Sequence, residues 1–296
     1  MAAPAEVITA ALLAPATAEV STETRLAVRD RLLAAAPGLV ERLPPGEQVV
    51  LTIALLRQLG RATPGPVRTD EPFAWKPAFV RRSLGLAAVE ACLAHRFRAP
   101  AEAVGPVAAQ AVAEWERSGW RTFHWEPWLA TLGGGARSAV LAEATTWAST
   151  LWTSLDWGQF RDPPRLGGPD DQWVCAASRT VRLKGRSEVR AFLPARPGRS
   201  RAGPLATAMV SMAGGTPRPG CEVGLGYLAL VAALRSPSRP APARVIGIWP
   251  DAGQHRVVDV TDRLLMDAGE LVLTGVAAVV DSTTGPSVDP AVSFGA

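Results

Sequence analysis

The sequence predicts a mixed α/β protein: a helical first half, then a core of short strands and helices. Three observations carry this. Apolar residues recur at helical spacing from residue 23 to residue 157, and the pattern shifts to period two at residue 180. The chain has 296 residues and 48% hydrophobic content, room for one large domain or two of ordinary size.

Taken in order, residues 23–36 set Leu26, Leu32 and Leu33 among charged residues at helical spacing. Residues 46–60 read as a short apolar helix between Pro44-Pro45 and Gly60. Residues 61–72, with Pro64-Gly65-Pro66 and Pro72, read as a linker. The expected division is a helical N-terminal extension over 1–66 and a main domain over 67–296. Three longer helices are expected over 77–97, 100–118 and 136–157. Pro77 and Pro100 suit first-turn positions, and Gly105-Pro106 is expected to kink or split the second helix. Residues 180–184 and 187–193 alternate in the manner of paired strands. A turn or long loop follows over 194–204, then a third strand over 205–212 ending at Gly214-Gly215. Residues 222–235 form an apolar helix stopped by Ser236-Pro237. Residues 244–249 are a buried strand paired with 256–260, and 262–280 a closing helix with Thr261 as its N-cap.

Composition excludes several classes. No apolar run is long enough to span a bilayer, and residues 2–18 lack the basic flank of a signal peptide. A cytoplasmic protein without membrane association is therefore expected. Cys92, Cys175 and Cys221 are too scattered for a disulfide framework or a metal site. Lys76 and Lys184 are the only lysines among 31 basic residues, a bias that fits a GC-rich genome. The net charge of +4 is unevenly placed: residues 1–160 balance, and residues 161–296 hold the whole excess. Residues 179–201 concentrate Arg179, Arg182, Lys184, Arg186, Arg190, Arg196, Arg199 and Arg201 around one acid, Glu188. Such a segment either meets a phosphate backbone or is a solvated hairpin. Trp147 and Trp152, with neighbouring leucines, are expected to fill a helical core; exposed tryptophans would instead stack on bases. Leu132-Gly133-Gly134-Gly135-Ala136 lacks the ending of a phosphate-binding loop and reads as a connector.

A helix, three meandering strands, a helix and a further strand is also the core order of the PD-(D/E)XK nucleases, and the second half resembles their RecB-like branch. Gly185-Arg186-Ser187-Glu188 falls at that family's G-x-x-D, with Glu for Asp. Val210-Ser211-Met212-Ala213-Gly214-Gly215 falls at its V-D-Y-K-T-G-like stretch, with Ser211 for the acid and Ala213 for the lysine. Val223 and Tyr227 fall at its Q-x-x-x-Y, with Val for Gln. Its upstream histidine would correspond to His95 or His124.

The resemblance implies a metal-dependent nuclease fold over 67–296 whose chemistry is eroded. Mg²⁺ needs one or two carboxylates beside the substrate phosphate, and Glu188 alone is a remnant of that site. The expected function is a catalytically degenerate domain that binds nucleic acid, DNA in the first place, through Arg179, Arg182, Lys184, Arg186 and Arg190. It would scaffold a helicase or nuclease partner in repair or recombination, with no cofactor. A second register, Pro169-Asp170 followed by Glu188-Val189-Arg190, would give an active Mg²⁺-dependent nuclease using Asp170 and Glu188. An arginine replaces its lysine poorly, and residues 167–171, Asp171 included, read as an acid-rich turn. A third possibility is a protein-interaction module with no nucleic acid.

Overall fold

A computed structural model describes residues 4–15, 19–58, 67–68, 75–119, 124–167, 171–193, 206–235 and 239–284. It is a mixed α/β fold in which two helical layers enclose twisted sheets. The chain begins with α1 (Ala5–Leu13) and α2 (Thr22–Val40), then β1 (Glu47–Thr52), α3 (Ile53–Gln58) and β2 (Val67–Arg68). Four helices follow: α4 (Pro77–Leu93), α5 (Pro100–Ser118), α6 (Glu126–Thr131) and α7 (Gly134–Ser154). Next come β3 (Arg165–Leu166), β4 (Asp171–Val174), β5 (Val181–Gly185), β6 (Val189–Phe192) and β7 (Thr207–Met212). The chain then forms α8 (Cys221–Arg235), β8 (Arg244–Trp249), β9 (Gln254–Asp259) and α9 (Asp262–Thr284).

One sheet has the order β3-β6-β7-β8-β9. Only β7 and β8 run parallel in it, joined by the α8 crossover, and the other pairs are antiparallel. The second has the order β2-β1-β5-β4, with β1 parallel to β5. Alternation along the strands sorts the apolar side chains into two cores. Val189, Ala191, Ala208, Val210, Ile246 and Ile248 face α1, α4, α5 and α7. Met209, Val245 and Trp249, with Val49, Leu51, Val181 and Leu183 of the other sheet, face α2, α8 and α9. Close helix packing depends on glycine at two places. A Cβ on Gly85 of α4 would lie 2.5 Å from the Trp147 ring of α7, and one on Gly226 of α8 would lie 2.8 Å from Leu264 of α9. Among the described residues no helix is long and apolar enough to cross a membrane.

Most expected elements are present, among them α2, α8, β8, β9 and α9 capped by Thr261, and the structure adds Ser21 as the N-cap of α2. Three readings need correction. Residues 46–60 do not form one helix: Glu47–Thr52 is a strand, with Val49 and Leu51 buried and paired to Val181 and Leu183. The segment alternates at period two as well as carrying apolar bulk, and a parallel partner decides between the two. Residues 180–184 and 187–193 do not pair with each other. A two-residue hairpin needs positive φ, and no residue from 185 to 188 has it, so the chain does not fold back on itself there. Instead β5 pairs with β1 and β4, and β6 with β7 and β3; period two did not reveal β4 and β3 because they are four and two residues long. Finally, α5 runs unbroken through Gly105-Pro106. The linker reading lies largely outside the described residues, apart from Val67 and Arg68, whose backbone pairs with β1. The loop expected over 194–204 lies outside them as well.

Candidate functional site

β6 and β7 meet where the two sheets diverge, and Glu188 sits at that fork. Val189 lies opposite Val210 in the ladder, yet the Glu188 N–H also donates to Val210 O at 2.8 Å. Two residues of one strand thus face one residue of the other, a β-bulge. Beyond it β5 turns away to pair with β1, and β7 loses its neighbour. The Met212 N–H would be orphaned there, and the Glu188 carboxylate replaces the missing strand by accepting it at Oε2, 2.8 Å. Its Oε1 accepts from Arg82 Nε at 2.9 Å, and Arg82 Nη2 donates to Ser187 O at 2.9 Å. The Glu188 carbonyl accepts from Gly167 N at 2.9 Å. Every polar atom of Glu188 is thereby engaged, and the residue is buried.

The partner residues of the expected nuclease site do not converge on it. Met209 and Ala213 pack in the core under α8, while Val210 and Met212 pack in the other. Ser211 therefore points to the α8 side, opposite Gly247, away from the helix that carries Arg82. The acid that reaches the exit of β7 is Asp251, whose Oδ2 accepts from Gly215 N at 3.1 Å. Asp170 lies outside the described residues. A Mg²⁺ ion does not fit this donor set: Glu188 is held by a guanidinium and a backbone amide, and neither Ser211 nor Ala213 supplies a carboxylate. Among the described residues no three His, Cys, Asp or Glu side chains cluster as a metal site. His95 and His124 both adopt positive φ. His95 closes α4: its N–H donates to Cys92 O and that of Arg96 to Ala91 O, a Schellman turn in which glycine is usual. The helical side chain at Glu188 is Arg82, not a histidine.

Tyr227 of α8 is a structural clamp. Its buried hydroxyl donates to Leu51 O at 2.7 Å and accepts from Lys184 N at 3.2 Å, tying β1 to β5. Burial pushes its phenol well above the ordinary value, opposed in part by the hydrogen bond to the Lys184 backbone.

The basic stripe is present in part. Val181, Leu183 and Gly185 face α8, so Arg182 and Lys184 project from the opposite face, both half-buried. Their cross-strand neighbours are Val50, Thr52, Val174 and Gln172. No carboxylate of β1, β4 or β5 shares that face. Arg179 is exposed in the β4–β5 turn and Arg186 is exposed at the end of β5. Arg190 departs from the expectation that it continues the stripe. The bulge at Glu188 shifts the alternation by one residue and sends Arg190 to the α8 side, where it pairs with Asp171. Asp171 is not part of a surface turn: it opens β4, is buried, and also accepts from Arg235 Nη1 at 2.8 Å. Arg196, Arg199 and Arg201 lie outside the described residues.

The roles of Arg82, Asp171 and Arg235 were not legible in the sequence because they depend on partners 106, 19 and 64 positions away. The fold and this site define a mixed α/β protein with a buried Arg–Glu pair at the fork of its sheets. Compared with protein-family models and with curated proteins, the chain matches none.

Proposed function

We propose that this protein is a non-hydrolytic, PD-(D/E)XK-like domain that binds the phosphate backbone of nucleic acid. The observation that carries the reading is the complete engagement of Glu188 by Arg82 and the Met212 N–H. A guanidinium stands against the one carboxylate that the resemblance would give to a metal, and it neutralises that charge without binding substrate oxygen. The antiparallel neighbours β3, β6 and β7, the α8 crossover and β8 parallel to β7 support the family reading. The face of β1, β4 and β5 that bears Arg182 and Lys184 and carries no carboxylate among the described residues, flanked by Arg179 and Arg186, supports the binding reading. The role is then a nucleic-acid-holding subunit beside an active partner such as a helicase or nuclease.

The test has two arms. Purified protein with Mg²⁺ or Mn²⁺ should leave single- and double-stranded DNA intact; metal-dependent cleavage abolished in Glu188→Gln would restore the active-nuclease reading. Duplex binding should weaken steeply with salt, with a slope of log K on log salt of about −3.5 for four phosphate contacts. A slope near zero would favour an interaction module that binds no nucleic acid.

A further inference from the structure

A second candidate site lies in the helical layer, where the end of α4, the start of α5 and the chain after α7 enclose an open cleft of about 830 Å³. The volume is in the range of small-molecule sites. Its apolar wall is aromatic. Trp152 and Trp157 stack with centroids 5.4 Å apart, and Phe160 lies 5.8 Å from Trp157. The Trp157 indole N–H donates to Trp152 O at 2.8 Å, which fixes the ring against α7. Its rim is cationic: Arg96, Arg98 and Arg161 all line the cleft and are exposed. Arg96 is held by Gln110 at 2.8 Å. The lining carboxylate is Glu102, which accepts from the Arg98 backbone N–H at 3.3 Å and so serves the start of α5. Beneath it, burial first and the Glu102 charge second push the Cys92 thiol up, keeping it a protonated, inert floor.

We propose that this cleft binds a nucleoside phosphate, its base against the Trp152–Trp157–Phe160 wall and its phosphate on Arg98 and Arg161. Aromatic faces accept any base by stacking, and exposed guanidiniums match phosphate in charge and geometry. Among the described residues lining the cleft, three arginines against one carboxylate select an anion, and the aromatic wall selects a planar one. The ligand is a free nucleotide or an unpaired nucleotide of a strand, and the two share this chemistry. The proposal stands apart from the sheet-face reading above, since no residue is common to both.

Quenching of tryptophan fluorescence tests it, with adenosine 5′-monophosphate and a short oligodeoxyadenylate as probes. Saturable quenching is expected, with adenosine and ribose 5-phosphate each at least about tenfold weaker than the nucleotide. Arg98→Gln/Arg161→Gln should weaken binding by about tenfold or more. Arg256→Gln/Arg263→Gln, which removes two exposed cations elsewhere, should leave it unchanged. A strand tighter than the mononucleotide by more than its number of bases identifies an unpaired nucleotide in a strand; equal affinity per base identifies the free nucleotide. Absence of saturable quenching by either probe overturns the proposal. So does adenosine binding as well as its phosphate, inorganic phosphate competing with full affinity, or an equal loss in the Arg256/Arg263 variant. An acidic peptide that quenches where nucleotides do not would make the cleft a protein-docking site.

Discussion

The Arg82–Glu188 pair is open to a double-mutant cycle. Glu188 has 7% and Arg82 14% of its side chain exposed, so neither charge is well solvated when the other is removed. Breaking a buried pair from one side costs about 3–5 kcal/mol, because the remaining charge stays desolvated. Arg82→Met should fall in that range, since Glu188 would keep only the Met212 N–H. Glu188→Met should cost a similar amount: it orphans that N–H and leaves Arg82 with the Ser187 carbonyl alone. The double variant removes both charges and leaves chiefly one unsatisfied amide, worth about 1–3 kcal/mol. The summed single costs, about 6–10 kcal/mol, should therefore exceed the double by about 3 kcal/mol or more. Urea unfolding followed by tryptophan fluorescence measures each term as a shift in midpoint at constant slope. A cost below about 1 kcal/mol for Arg82→Met, or additive single variants, would refute the idea that the pair neutralises itself at the fork.

Tyr227 is the only tyrosine in the chain, so phenolate absorbance reports it alone. Its raised folded value means that its contribution to stability is complete below the ordinary value of about 10 and is lost as pH rises above it. Native protein should ionise later than urea-unfolded protein, whereas a common midpoint would contradict the buried clamp. Tyr227→Phe should cost about 1–3 kcal/mol in chemical unfolding, because the Lys184 N–H loses its acceptor. In DNA binding, Arg182→Gln/Lys184→Gln should flatten the salt slope by about 2. Arg190→Gln should leave the slope unchanged and lower stability, since it strips one partner from buried Asp171. The reverse pattern would place the phosphate contacts on the α8 side. Gly85→Ala should destabilise by about 1–3 kcal/mol, measured as a lowered urea midpoint, because Trp147 must move.

Residues 244–249 were legible as a strand because Val245-Ile246-Gly247-Ile248-Trp249 after Arg244 is a short uncharged apolar run, and it is buried throughout. α9 was legible for the opposite reason: its buried Leu265, Ala268, Val272, Val276 and Val279 repeat at helical spacing. The candidate site was only partly legible. Glu188, Arg182 and Lys184 stood out by charge, but the groups that define their roles did not. Nothing local distinguishes Arg82, inside an apolar helix, from its neighbour Arg81, which makes an exposed pair with Glu143 at 3.7 Å.

The amino-acid sequence alone determined the α/β class, most helices and the Thr261 cap, the main buried strands of the second half and the position of the basic segment. These follow from period, capping residues and charge, which are properties of a few neighbouring positions. Tertiary structure decided the rest. β1 is a strand because β5 and the Tyr227 hydroxyl, 176 positions away, satisfy its backbone. Glu188 is a structural acid because Arg82 and an orphaned Met212 amide meet it at the fork. Arg190 changed sides because one extra residue in a ladder reverses the alternation of every residue after it. A period tells which face of an element is buried; it does not tell which partner buries it, and that choice is made between residues far apart in the chain.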